Sequence, residues 1–159
     1  MSHPRHVIGL VSDTHGMVRA SIFEALAGVD RILHAGDVGP DEVLAELETI
    51  APVDAVFGNT DVPGNPRLSA ALVLEIGGVT IHVSHGHELG SPTPPRLLEA
   101  YPQQVLVYGH THRQLIAEAG GRLVVNPGAA GARRFDLRPT VARLIVEQGV
   151  ARVELVPLD

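Results

Sequence analysis

VIGLVSDTHG, residues 7–16, sets the reading of the chain. Its first half, Val7-Ile-Gly-Leu-Val11, is a short apolar run that breaks off into Ser12-Asp13-Thr14-His15-Gly16. An uninterrupted apolar run of this length reads as a strand buried on both faces, as in a parallel sheet covered by helices. The residues that follow agree. Ile22, Phe23 and Leu26 are spaced to share one face of a helix that stops at Gly28. Arg31-Ile-Leu-His34 is a second short strand, closed by Ala35-Gly36-Asp37. Pro40-Asp41-Glu42 supplies a helix start with acids placed well for the helix dipole, and Val43, Leu44, Leu47 and Ile50 give that helix its buried face. Asp54-Ala-Val-Phe57 is a third strand running into Gly58-Asn59. Strand, helix, strand, helix, strand implies right-handed crossovers and a parallel sheet.

The second half changes character. Ala71–Ile76 and Val79–Ser84 are apolar runs joined by Gly77-Gly78, a two-residue hairpin signal. Pro94 to Tyr101 reads as a short helix, and Val105–Tyr108 as a further strand. Gln114–Glu118 and Arg122–Val125 flank Ala119-Gly120-Gly121, and Val141–Val146 pairs with Val150–Val156 across Glu147-Gln148-Gly149. A parallel βα half followed by an antiparallel half, without repeats or a linker, predicts one α/β domain over residues 1–159 with two packed sheets.

Composition limits the chemistry. The chain has 159 residues and no cysteine, so disulfides, iron–sulfur clusters and cysteine nucleophiles are excluded, and any metal must be held by oxygen and imidazole nitrogen. Formal net charge is −6 and no basic run exceeds Arg133-Arg134, so stable nucleic-acid binding is not expected. Only a short polar stretch with His3, Pro4 and His6 precedes Val7, which leaves no room for a signal peptide. No apolar run reaches membrane-spanning length. The expectation is a soluble, cytoplasmic protein.

Five polar clusters directly follow apolar strands: Ser12-Asp13-Thr14-His15, Gly36-Asp37, Gly58-Asn59-Thr60-Asp61, Ser84-His85-Gly86-His87 and Gly109-His110-Thr111-His112. Ligands bind beyond the carboxyl ends of strands in open α/β sheets, so strands lying side by side would bring all five to one rim. Taken singly, each has a plainer reading. Asp13-Thr14 could cap a helix, Gly36-Asp37 and Gly58-Asn59 are ordinary turn dipeptides, and a lone His-x-His at a strand end is more often surface polarity. Caps and turns do not account for histidine at four of the seven positions Asp13, His15, Asp37, Asn59, His85, His110 and His112. Seven oxygen and imidazole donors are too many for one tetrahedral zinc and suit two ions of intermediate hardness sharing a carboxylate.

These five clusters, in this order, resemble the calcineurin-like metallophosphoesterases, and most closely the small bacterial and archaeal phosphodiesterase branch without a cap domain. The matching residues are Ser12–Gly16, His34–Asp37, Gly58–Asp61, Ser84–His87 and Gly109–His112, with Asn126-Pro-Gly128 beyond them. The resemblance implies a four-layer α-β-β-α sandwich of two mixed sheets flanked by helices, with a dinuclear metal site at the sheet edges. One ion would take Asp13, His15, Asp37 and His112. The other would take Asp37, Asn59, His85 and His110, making Asp37 the bridge. His87 is not a ligand in this mapping; it either supports the ligands or donates a proton, and counts as a catalytic candidate together with Asn59 and Asp37. Larger members carry a histidine directly after the metal-binding asparagine, where this chain has Thr60 and then Asp61. His34 and Asp61 are alternative supporting residues, with a core histidine bonded to backbone as the plainer reading of His34.

The expected activity is a metal-dependent phosphohydrolase, a phosphodiesterase rather than a phosphomonoesterase, acting on a small phosphate ester through a metal-bridging hydroxide. Manganese is the expected metal, with iron, zinc, cobalt or nickel as alternatives, since this mixed donor set discriminates poorly among first-row ions. Arg67, Arg133 and Arg134 are either phosphate contacts or exposed solubilising residues. The rivals are a phosphomonoesterase and a non-catalytic protein-binding scaffold of the same fold. An edge strand in the antiparallel half would allow a homo-oligomer by pairing with a second copy.

Overall fold

The computed structural model describes residues 4–133 and 136–159, so His3 and Arg134 lie outside the described residues. In chain order the elements are β1 (His6–Val11), α1 (Ile22–Ala25), β2 (Arg31–His34), α2 (Glu42–Glu48), β3 (Val53–Val56), β4 (Leu68–Ser69), β5 (Leu72–Ile76) and β6 (Val79–Val83). A 3-10 turn at His87–Leu89 and α3 (Pro94–Ala100) precede β7 (Val105–Val107), β8 (Leu115–Ala119), β9 (Arg122–Asn126), β10 (Thr140–Glu147) and β11 (Val150–Pro157).

The strands form two sheets, in the orders β11-β10-β1-β2-β3-β4 and β5-β6-β7-β9-β8. In the first, β1 to β4 are parallel, as the βαβ pattern predicts, and β10 and β11 extend the sheet antiparallel on the other side of β1. In the second, β6, β7 and β9 are parallel and only the edge strands β5 and β8 run against them. The division into a parallel half and an antiparallel half is therefore corrected. Both sheets are mixed: the last hairpin returns to the first strand instead of joining the second sheet, and the inner strands of the second sheet run parallel.

Each inner strand is apolar on both faces because each sheet is covered on both faces. Ile8, Leu10 and Leu33 face Ile81, Val83 and Val107 across the gap between the sheets. On the other side of the first sheet, Val11, Ile32 and Val53 pack under Ile22, Leu26, Leu44 and Leu47 from α1, α2 and their flanks. Leu97 of α3 covers Leu106, Tyr108 and Val124 on the outside of the second sheet. The result is helix, sheet, sheet, helix. Burying each such aliphatic side chain is worth about 1.5–3 kcal/mol.

Two local expectations are adjusted. The helix near residue 22 is a single turn, with Ile22 and Leu26 buried and Phe23 left 41 % exposed, so the apolar face is narrower than the spacing suggests. The third strand starts one residue earlier, at Val53, and Ile50 falls beyond the end of α2. No helix among the described residues is long and apolar enough to cross a membrane.

Candidate metal centre

Strands β1, β2 and β3 of the first sheet and β6 and β7 of the second each run directly into one of the five polar clusters. The backbone at these ends is unusual. Among the described residues, Asp13, His15, Asp37, His110, His112 and Gln148 have positive φ without being glycine. Gln148 belongs to the β10–β11 hairpin turn, and the other five are candidate ligands. The left-handed conformation costs an L-residue about 1 kcal/mol or more, so the surrounding loops must enforce it. They do so through main-chain bonds from Asp13 N–H to Gly36 O (3.0 Å), His15 N–H to Asp37 O (2.9 Å) and Gly109 N–H to His85 O (2.9 Å). Two glycines allow close approach: a Cβ on Gly58 would overlap the Asp37 carboxylate, and one on Gly109 would overlap the Ser12 hydroxyl.

The side chains collect in two adjoining groups. One ligand atom each from Asp13, His15, Asp37 and His112 lies within 4.8 Å of all the others. His112 Nε2 is 3.3 Å from Asp13 Oδ1 and 3.4 Å from His15 Nε2, and His15 Nε2 is 3.6 Å from Asp37 Oδ2. On the other side, His85 Nε2 is 3.2 Å from Asp37 Oδ2 and 3.1 Å from Asn59 Oδ1, and His110 Nδ1 is 3.1 Å from that same amide oxygen. His110 and His112 thus diverge to opposite groups. The intervening Thr111 turns away and accepts a hydrogen bond from Asn126 Nδ2 (3.0 Å).

Two features fit a cation in this cluster. Asp13 Oδ1 is buried without a hydrogen-bond partner, although its other oxygen accepts from the Ser12 hydroxyl (2.7 Å) and His110 N–H (3.2 Å). His85 Nδ1 lies 2.8 Å from Ala35 O, a pure acceptor, so Nδ1 carries the proton and donates. Neutral His85 then turns a bare Nε2 toward the oxygens of Asp37 and Asn59. Acceptors facing acceptors require a positive charge between them, either a proton or a metal.

The titration behaviour has the same origin. Burial works to raise the Asp13 carboxyl, but His112, His15, His85 and the Ser12 hydroxyl outweigh it and hold the group well below the usual carboxylate range. Burial likewise opposes ionisation of Asp37, yet His85 and the bond from Thr60 N–H (2.9 Å) bring it down to about 2. His85 is pushed down by burial and raised further by Asp37 and Asp13, for a net rise. His110 is lowered by burial and by the charge of His85. Both carboxylates are ionised at neutral pH and ready to receive a cation.

The residues around the cluster divide the supporting work. His87 follows the second group, its ring centroid 5.3 Å from that of His85 and 6.3 Å from that of His110, with Nδ1 lacking a hydrogen bond. His34 is a core histidine. Gly36 N–H donates to its Nδ1 (3.1 Å), and its Nε2 donates to Thr14 Oγ1 (3.0 Å), which in turn donates to Val38 O (2.8 Å). The Asp61 carboxylate accepts from the main-chain N–H groups of Val38, Gly39 and Gly58, tying the loop after β2 to the loop after β3. Arg67 pairs with Glu48 (3.3 Å) instead of reaching the cluster. Sequence reading gave no role to Asn126. It is fully buried, donates to Gly109 O (3.2 Å) and Thr111 Oγ1, and accepts from Gly128 N–H (2.9 Å), so it clamps the loop carrying both final histidines. An asparagine at a strand end followed by Pro-Gly is the only trace of this in the sequence.

The chain belongs to the calcineurin-like phosphoesterase superfamily, whose domain matches residues 7–149. A probable metallophosphoesterase of Methanocaldococcus jannaschii is 35 % identical over 162 aligned residues, covering 96 % of this chain and 82 % of that one. A phosphodiesterase of the same archaeon is 27 % identical over 139 residues, covering 76 % of this chain and 82 % of its own. In fold, the chain is similar to Vps29 of Entamoeba histolytica complexed with zinc, with a TM-score of 0.75 at 24 % identity over 96 % of this chain and 99 % of that one.

Proposed function

We propose that this protein is a metal-dependent phosphodiesterase with two divalent ions at the meeting point of its sheets. Asp13, His15, Asp37 and His112 would hold one ion, and Asp37, Asn59, His85 and His110 the other. The observation that carries this reading is Asp37 Oδ2, a single carboxylate oxygen 3.6 Å from His15 Nε2 and 3.2 Å from His85 Nε2. Such a pair of ions supplies an activated water and neutralises charge on the phosphoryl oxygens. Manganese is the preferred metal, with iron, zinc, cobalt and nickel as alternatives that the same oxygen and imidazole donors accept.

The chain's own residues do the rest. Asp61 and the clamp of Asn126 fix the ligand loops before substrate arrives, so little reorganisation is needed during reaction. His85 is oriented by Ala35 O, and the Asn59 amide oxygen is set between His85 and His110. His87, partly exposed beside the second group, is placed to hand a proton to the departing oxygen. The position directly after Asn59 is Thr60, which uses its main chain to bind Asp37. The substrate class is a small phosphodiester, and we take the enzyme to be cytoplasmic; no helix among the described residues is long and apolar enough to cross a membrane.

The test is hydrolysis of bis-p-nitrophenyl phosphate with and without Mn²⁺, for the native protein and for Asp37→Ala. Turnover should need the ion and fall at least about 100-fold in the variant, since even groups outside the coordination sphere are worth 10–100-fold. Equal rates for the two proteins would sink the reading. p-Nitrophenyl phosphate run in parallel decides between diester and monoester. Failure to retain metal after reconstitution would instead favour a protein-binding scaffold built on this fold, against which the complete donor set speaks.

A further inference from the structure

Apart from the metal centre, a group of arginines lies along the same rim. Arg19, Arg133 and Arg138 line a cavity of about 280 Å³ together with Pro139, Leu158 and Asp159. The chain has no lysine, so its permanently charged basic side chains are all arginines, and three of them meet at one place.

Two of the three are aimed by main-chain oxygens. Arg19 Nε donates to Gly131 O (2.7 Å) and its Nη1 to Asp159 O (2.7 Å), while Arg138 Nε donates to Leu158 O (3.2 Å). The bonds to Gly131 and Leu158 orient a guanidinium without neutralising it. The side-chain counter-charge is Asp159, whose carboxylate approaches Arg138 Nη2 only to 3.7 Å and is 92 % exposed. That is a loose ion pair of little strength, and a stronger anion can displace it. By contrast, Arg31 and Arg67 are engaged at 2.6 Å and 3.3 Å by Asp54 and Glu48.

The cavity's position relative to the metal centre follows from the sheet. Because β10 runs antiparallel to β1, and β11 to β10, the start of β10 and the end of β11 lie at the edge where β1 runs into Asp13. Arg138 and Asp159 flank those two ends, which at a strand spacing of about 4.8 Å lie within roughly 10 Å of β1. One residue joins the two places: Gly131 donates its N–H to Asp13 O (3.3 Å) and offers its own carbonyl to Arg19.

We propose that Arg19, Arg133 and Arg138 form a second phosphate subsite, occupied by a further phosphate group of the substrate whose diester lies at the metal centre. The preferred substrate is then a phosphodiester bearing an additional phosphate, as in a phosphorylated nucleotide ester. A guanidinium fork matches phosphate bidentately, and Asp159 is the internal anion that such a group displaces. This rests on the phosphodiesterase reading.

Two measurements test it. In ¹⁵N-labelled protein titrated with inorganic phosphate, the arginine Nε–Hε resonances of the cavity should shift and saturate. Arg133→Gln should weaken that binding several-fold, and Asp159→Asn should strengthen it. An absent response, or the same affinity in all three proteins, overturns the subsite. In the second measurement, thymidine 3′-(p-nitrophenyl phosphate) is hydrolysed with and without a 5′-phosphate. The 5′-phosphate should lower KM several-fold in the native protein and have no effect in Arg133→Gln, while bis-p-nitrophenyl phosphate turnover is unchanged by that substitution. Phosphate binding without any KM effect overturns the assignment to substrate. If neither ester is hydrolysed, the phosphodiesterase reading has failed, and the resonance titration alone decides whether the cavity binds phosphate.

Discussion

His34 shows how one residue beside the centre can govern acid stability. Burial pushes its imidazole down to about 4 from an ordinary value of 6.5, and its three-membered hydrogen-bond chain needs the neutral ring. Below pH 6.5 the unfolded chain takes up a proton that the folded one refuses, so stability is lost as pH falls from 6.5 to about 4. The loss amounts to about 3 kcal/mol. Asp37, lowered to about 2, and Asp13 act in the same direction but at lower pH, since they destabilise only below the ordinary carboxylate value of 3.8. Urea unfolding at pH 7.5, 5.5 and 4.2 should show this first loss in the native protein and a much smaller one in His34→Asn. An equally steep decline in the variant would place the acid sensitivity elsewhere.

At the scale of elements, the loop after β7 depends on a residue from β9. Asn126→Ala would leave Gly128 N–H without its bond and take one of two from Gly109 O and from the Thr111 hydroxyl, which keep those from Thr111 N–H and Arg113 N–H. The expected cost is about 1–3 kcal/mol in urea unfolding. Metal affinity, measured by competition with a chromophoric chelator, should fall about 10–100-fold as His110 and His112 lose their fixed setting. Loss of stability with unchanged affinity would show that the clamp is structural only. Elements whose signals are local were legible in the sequence. Gly77-Gly78 puts Ile76 opposite Val79, Gly120-Gly121 puts Ala119 opposite Arg122, and Gln148-Gly149 puts Glu147 opposite Val150. The seven candidate ligands could be picked out because their clusters follow apolar runs and four of them fall in two short motifs, Asp13-Thr-His15 and His110-Thr-His112. The pairing of His6 with Val146 was not legible, since nothing local in either strand names a partner so distant. Neither was β4, too short at Leu68–Ser69 to leave a pattern, nor the bonds of Asn126 and Asp61, which involve main-chain groups that every residue has.

For the whole molecule, the centre is a joint between two sheets, with Asp13, Asp37 and Asn59 on one side and His85, His110 and His112 on the other. Ions bound there would cross-link the sandwich in the folded state and would have no equivalent site in the unfolded chain. Saturation to about 100 times Kd should add about 2.7 kcal/mol. For a chain of this size that is roughly 5–10 °C in Tm, lost on adding a chelator and restored by excess Mn²⁺. A Tm indifferent to both treatments would show that the two sheets are not bridged.

The positive φ angles of Asp13, His15, Asp37, His110 and His112 set local stability against donor chemistry. At each position glycine, or in some cases asparagine, would sit more comfortably, so the donors are held in place at the expense of the loops that carry them. Glycine at any one of them should relax the backbone while removing an acid or imidazole, so a gain in loop stability and a loss of cation affinity belong to the same substitution.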